Sequence, residues 1–180
     1  ANYQTYSQKY WNKKTLSPSG FMLYLGVNKK VEGLLHHTMF FDTDWHKHFS
    51  QVFEQHAWSS SPLFYVGTPS KTDDTVAPKG KENIFVLAPM TNGYMPTKSE
   101  QQHLAKSIIS RIEKTMGVSF AKDIVSQEIR TTEFFEDTFN AYKGNAFGMA
   151  HTLNQSAFLR PRLVSKKLKN LMYAGQYTNP

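Results

Sequence analysis

The residues GFMLYLGV, positions 20–27, set the strongest constraint on any fold this chain can adopt. The apolar run between Gly20 and Gly26 is continuous, too short for a helix and closed by glycine at both ends, so it reads as a buried strand. LLHHTMFF (34–41) has the composition of a second strand, and the lysine- and glutamate-bearing residues 27–33 form the turn between them. Two more strands, LFYVG (63–67) and IFVLAP (84–89), flank the turn-rich stretch TPSKTDDTVAPKGKEN.

Helical spacing alternates with these runs. Trp45, Phe49, Val52 and Phe53 recur at i, i+4, i+7 and i+8, which predicts an amphipathic helix laid on the sheet and capped by Asp42 or Thr43. Thr97 and Glu100 have capping-box spacing ahead of a helix whose Leu104, Ala105, Ile108, Ile109 and Ile112 share one face. Gly117 supplies its stop. DIVSQEIRTT alternates as a strand does, and EFFEDTFNAY shows helical spacing at Phe135 and Phe139 before the glycine-bearing KGNAFGMA. The expected class is α+β: a mixed, largely antiparallel sheet with helices packed on one side. Residues 1–18, polar and ending in Ser17-Pro18, read as a tail or linker.

Composition narrows the chemistry. An aromatic fraction of 14% suits a well-filled core or a large apolar cavity equally. The net charge of +7 is spread along the chain, with no basic stripe interleaved with stacking aromatics, so nucleic acid is not an expected partner. The lack of cysteine excludes disulfides and thiolate nucleophiles and fits a cytoplasmic setting. No run of about 18 apolar residues exists to span a bilayer, which leaves peripheral contact as the only expected relation to a membrane. His36, His37, His46, His48 and His56 crowd one region, but neighbours on a strand, or two apart on a helix, diverge, so no metal site is expected. Phosphate loops of the G-x-G-x-x-G and G-x-x-x-x-G-K-S/T kinds are absent, as are G-x-S-x-G and H-E-x-x-H. No catalytic acid, base or nucleophile stands out.

What remains are short peptides that join small residues to aromatics: APKG, NAYKGNAFG and NQSAFLRP. Tight turns explain them on spacing alone, and so does a wall that approaches a flat or elongated apolar partner closely. These peptides also carry a resemblance. From about Ser19 to its end the chain resembles the carotenoid desaturases of the phytoene and dehydrosqualene type, members of the FAD-dependent amine-oxidase-like superfamily. SGFMLYLGVNKK and LHHTMFF are similar to a family strand of like character and to its L-H-H segment, and TDDTVAPKG to its D-x-S-x-A-P-x-G turn. IFVLAPM is similar to its V-L-A-P strand, NAYKGNAFG to x-A-x-x-G-S-A-F-G, LNQSAFLRP to L-x-Q-S-x-x-x-R-P, and LMYAGQYTNP to L-Y-x-A-G-x-x-T-H-P. Two departures stand out: T-P-x-D-F becomes Thr131-Thr132-Glu133-Phe134-Phe135, and Asn179 replaces a histidine.

The resemblance implies a full-length enzyme that removes two hydrogens from a long apolar isoprenoid, in a dry tunnel, with FAD as acceptor. It implies a division into residues 1–18 as tail, 19–168 as substrate-binding domain, and 169–180 as the stub of an FAD-binding domain whose strand would cover 171–174. Phe134, Tyr142 and Phe147 are the expected substrate-side aromatics, and Ala174, Gly175 and Thr178 the positions near FAD. Asp73 and Arg160 match family positions, with structural roles expected: a turn-forming side chain and an anchor. The chain starts at Ala1 and ends where a loop opens at Gly175, so it is expected to be an inactive segment of a longer protein, cytoplasmic and peripherally membrane-associated, whose partner is the remainder of its own chain. Two alternatives stay open: an amine- or protoporphyrinogen-oxidase-like flavoprotein, and a stand-alone module that binds lipids or partner proteins.

Overall fold

A computed structural model describes residues 3–179, so the first two residues of the expected tail and the last of the expected stub lie outside the described residues. Five strands are present among the described residues: β1 (Ser19–Val27), β2 (His37–Phe40), β3 (Phe64–Gly67), β4 (Glu82–Met90) and β5 (Ile124–Arg130). Four helices accompany them among the described residues: α1 (Gln8–Trp11), α2 (Trp45–Phe53), α3 (Lys98–Met116) and α4 (Thr132–Phe139). The class is α+β as expected. The sheet runs β2-β3-β4-β1-β5, and all four pairings are antiparallel.

Periodicity of two explains which face is dry. Phe21, Leu23, Leu25 and Val27 on β1 and Ile84, Val86, Ala88 and Met90 on β4 point to one side, where they meet Leu104, Ala105, Ile108, Ile109 and Ile112 of α3. The five helical residues are those that the sequence places on one face. Both ends of α3 are built as the sequence indicates. Thr97 Oγ accepts from the Glu100 N–H while the Glu100 carboxylate accepts from the Thr97 N–H, and Gly117 closes the helix at φ 68°, where a side chain would be strained. Thr97→Ala leaves one first-turn donor without its acceptor and should cost about 1 kcal/mol, read as a lower urea midpoint at unchanged slope.

Four local expectations change. β1 is not buried throughout: Met22, Tyr24 and Gly26 face the side opposite α3, and Tyr24 is exposed. The cap of α2 is Asp44, one residue past Thr43, whose carboxylate accepts from the Lys47 N–H. Trp45, Phe49 and Phe53 do not rest on the sheet. They stand 53%, 43% and 48% exposed while His48 and Val52 turn inward, because His48 Nε2 donates to the Pro89 carbonyl and its Nδ1 accepts the Leu63 N–H. His36 and His37 do not diverge either; β2 begins only at His37, and their rings lie 4.3 Å apart.

Residues 171–174 form no strand. Met172 makes a single bridge to Val164, and the Tyr173 N–H donates to the Leu163 carbonyl. At the other end, residues 15–18 run beside 146–150: the Ser17 N–H donates to Gly148, the Ala150 N–H to Thr15, and Leu16 bridges Met149.

A buried ionic knot fastens the far end of the sheet. Glu82, with no exposed side-chain area, receives Lys30 at 2.9 Å, Lys71 at 2.7 Å, the Ser70 hydroxyl and the Val31 N–H. Lys30 and Lys71 also donate to the carbonyls of Ser70 and Val31, so the knot joins two loops, 28–36 and 68–81, to β4.

Candidate functional site

Two surfaces stand out, one on the sheet and one beyond its strand ends. The open face of the sheet can be read row by row from the register. Met39, Tyr65, Leu87, Met22 and Arg130 face one another in one row across all five strands, and His37, Gly67, Phe85, Tyr24 and Glu128 form the next. Four inter-strand steps of about 4.8 Å make each row roughly 19 Å wide. The middle is apolar, with Tyr24 and Phe85 5.1 Å apart and Tyr65 6.3 Å from Phe85. Polar pairs close both edges. His37 Nδ1 and the Tyr65 hydroxyl lie 2.7 Å apart at the β2 side, and Arg130 pairs with Glu128 at the β5 side. A groove of about 660 Å³ continues this face past Gly26, between Tyr24, Phe85, Pro69 and Ser126.

Apolar side chains on both faces of a central strand mark a sheet that is dry on both sides. Here α3 covers one face, while Met22, Tyr65, Phe85 and Leu87 on the other stay half-buried. The uncovered face is therefore shaped for an apolar partner.

The second surface lies beyond the start of β1. Ser19 ties it to the sheet by donating to the Gly144 carbonyl at 2.6 Å and to the Thr132 hydroxyl at 3.3 Å. Position 144 must be glycine, since a Cβ there would sit 2.4 Å from the Thr132 carbonyl oxygen at φ 57°. From this knot a cleft of about 540 Å³ opens, lined by Tyr6, Trp11, Tyr142, Tyr173, Ala174, Tyr177 and Thr178. Trp11 meets Tyr177 edge-on at 5.6 Å. The Tyr177 hydroxyl accepts from the Tyr142 N–H at 3.1 Å and from the Asn145 amide. Burial pushes the Tyr177 pKa up despite those two donors, which keeps the phenol neutral.

Tyr142, expected on the substrate side, and Ala174 and Thr178, expected near a cofactor, thus line one cleft. Gly175 follows Ala174 in the turn, at φ 118°, with no atom within 4 Å of where a Cβ would stand. Thr178 closes that turn: its N–H and hydroxyl both donate to the Gly175 carbonyl, at 3.1 and 2.8 Å. Phe134 lies elsewhere on α4, with the Arg130 guanidinium 4.6 Å over its ring, and α4 packs against the 142–144 turn. Phe147 stands exposed in the loop that follows. Asp73 forms the turn expected of it, accepting from the Thr75 N–H and hydroxyl.

The open-face residues Met22, Tyr24, Phe85 and Leu87 lie inside two of the family-like strands, and Tyr65 in none, yet no sequence signal marks them as a site: their alternation is masked because both faces of β1 and β4 are apolar. The cleft's Tyr6 and Trp11 come from the stretch read as a tail, where no motif or spacing singles them out. Among the described residues no group of three or more His, Asp or Glu side chains can hold a metal, and no helix is long and apolar enough to cross a membrane.

An antiparallel sheet with one face filled by a long helix, the other open and apolar, and a small-residue turn beyond the strand ends is consistent with a domain of an FAD-linked oxidoreductase. Sequence comparison narrows this class. The chain is a homologue of the carotenoid desaturases. It is 39% identical to a carotenoid 3,4-desaturase of Haloarcula japonica, over 97% of this chain and 35% of the relative. It is 32% identical to a zeta-carotene-forming phytoene desaturase of Myxococcus xanthus (93% and 33%) and 34% identical to a 4,4'-diapophytoene desaturase of Staphylococcus aureus (91% and 34%). No family model matches the chain. The chain spans about a third of the length of the curated relatives it matches.

Proposed function

We propose that the full-length protein is an FAD-dependent desaturase that dehydrogenates a long acyclic isoprenoid, of the phytoene or diapophytoene class, in carotenoid biosynthesis. The observation that carries this reading is the open apolar sheet face. A hydrocarbon offers no polar handle, so its affinity must come from buried apolar area at about 25 cal/mol per Å². A row roughly 19 Å wide with an apolar centre supplies such an area without demanding polar groups of the ligand. The names of the relatives support the same substrate class.

The turn at 174–178 fits the edge of a flavin. Ala174 is exposed, and the space beyond Gly175 lets a flat group lie against the backbone. The segment has no phosphate loop, so the pyrophosphate of a dinucleotide would be held by other polypeptide. FAD, when bound, supplies the two-electron acceptor. Residues of this chain do the rest: Met22, Tyr24, Phe85 and Leu87 bind and orient the hydrocarbon and exclude water, and Ala174, Gly175 and Thr178 border the cofactor. Tyr142 stands on the cleft wall beside them, with Phe134 and Phe147 on the neighbouring elements. The π faces of these three aromatics are suited to ease positive charge as hydride leaves the substrate.

A peripheral relation to a cytoplasmic membrane surface belongs to the same reading. The ridge of Trp45, Phe49 and Phe53 is exposed, Phe49 and Phe53 stack at 5.8 Å, and Met39 on the edge strand β2 is exposed as well. Trp and Phe on one face of a surface helix suit the headgroup boundary of a bilayer. Replacing Trp45, Phe49 and Phe53 together by Ser in the full-length protein should reduce co-sedimentation with liposomes about tenfold or more and leave the melting temperature nearly unchanged. Equal sedimentation would reassign the ridge.

The decisive experiment combines the purified full-length protein, FAD, and phytoene or diapophytoene in liposomes. The expected result is a flavin absorbance that bleaches on adding substrate and a product with a longer polyene chromophore. A protein that takes up no flavin and converts neither hydrocarbon would overturn the reading.

A further inference from the structure

Arg160 is 5% exposed, yet among the described residues no carboxylate pairs with it. Its guanidinium is spent on backbone carbonyls instead. Nε donates to Thr178 at 3.1 Å, Nη2 to Gln176 at 2.5 Å and Nη1 to Met149 at 3.3 Å. Two of those carbonyls belong to the turn that carries Gly175 and Thr178, and the third to the loop that pairs with residues 15–17. Pro161, the next residue, lines the cleft, and its carbonyl accepts the Asn179 N–H at 2.9 Å. One planar fork thus ties both sides of the turn to the wall behind it, which a flexible ammonium cannot do.

Three neutral acceptors take three of the five guanidinium N–H groups and leave its charge. A buried cation without a counter-ion is costly, and a neighbouring group that becomes more negative offsets that cost. Resting on the functional reading above, we propose that Arg160 is a positioning residue for the cofactor: it holds the 175–178 turn in the shape on which a flavin edge rests, and its charge favours the reduced, electron-rich flavin. Arg160 itself touches only the turn and its backing, so it is not a catalytic residue.

The full-length protein and its Arg160→Met and Arg160→Lys variants test this with two readouts. Amide hydrogen exchange without added cofactor reports the turn. Arg160→Met should speed exchange at Thr178 and Asn179 about 100-fold while amides of β1 keep their protection. Titration with FAD and redox potentiometry report the consequence. Arg160→Met should bind FAD at least about tenfold more weakly and shift the flavin midpoint to more negative values. Arg160→Lys, which keeps the charge and loses the fork, should keep most of the midpoint and not the affinity. Unchanged exchange at Thr178 and Asn179 in Arg160→Met overturns the clamp. Lower thermal stability with unchanged FAD affinity and midpoint reduces Arg160 to a structural anchor and overturns the proposal. A wild-type protein that takes up no flavin removes the cofactor half of the proposal along with the functional reading, and the exchange data still decide the clamp.

Discussion

Leu87→Glu in the full-length protein is expected to lower desaturation of an acyclic isoprenoid about 100-fold or more, while the melting temperature stays within a few degrees of wild type. Leu87 lies at the centre of the open row, between Tyr65 and Met22, and is half-buried. Without substrate a glutamate there points into water at little cost. Once a hydrocarbon covers the row, the carboxylate loses its hydration, a penalty of several kcal/mol, and each 1.4 kcal/mol is a factor of about ten in binding. Val86, the next residue, has no exposed surface and faces α3. Val86→Glu should therefore prevent folding. Product formation and circular dichroism melting, measured on both variants, check the contrast. Normal turnover in Leu87→Glu would remove the open face from substrate binding.

The second large effect is expected at Glu82. Removing a buried, fully bonded carboxylate leaves Lys71 and Lys30 facing each other without their counter-ion, and such losses run at about 3–5 kcal/mol. Lys30 is partly exposed and Lys71 less so, so part of the strain is relieved by water. Glu82→Gln should then cost about 3 kcal/mol, or a fall of roughly 6–12 °C in melting temperature for a chain of this size. Burial pushes the Glu82 carboxyl up, but hydrogen bonds from Lys71, Lys30 and Val31 outweigh it and hold the pKa below the ordinary 4.5. A carboxylate with a depressed folded pKa stabilises the fold above its unfolded value and loses that contribution as pH falls through the folded one. The stability gap between wild type and Glu82→Gln should thus be full near neutrality and shrink below about pH 4.5. Urea titrations of both proteins at several pH values measure it.

Much of the scaffold was legible because local chemistry and global packing agree. Thr97, Glu100 and Gly117 bracket α3 in the sequence as they do in the fold, and its five apolar positions are the ones buried. The α2 reading went astray because its aromatic spacing is that of a core helix. His48, a polar residue, took the inward position by satisfying both ring nitrogens on backbone groups. The open face was illegible for a related reason: a strand apolar on both sides gives no alternation to read, and only the register shows which side lacks a helix. Tyr142, Ala174, Gly175 and Thr178 are named by motif resemblance alone, and no periodicity marks them. Tyr6 and Trp11 lie far in sequence from Tyr177, with which they complete the cleft, and the two ends meet through the pairing of residues 15–18 with 146–150 and through side-chain bonds such as Thr5 to Tyr173 and the Arg162 N–H to the Tyr6 hydroxyl.

The order β2-β3-β4-β1-β5 has a consequence for synthesis on the ribosome. Within this sheet β1 is made before the other strands and sits second from the edge, yet its partners arrive late: Met22 pairs with Leu87 and with Arg130, the latter roughly a hundred residues downstream. At about 5–20 residues per second, the nascent strand waits roughly 5–20 s for its last neighbour, with apolar side chains exposed on both sides. The nascent chain should therefore be a client of ribosome-bound holding factors, and slower translation between β4 and β5 should raise the misfolded fraction.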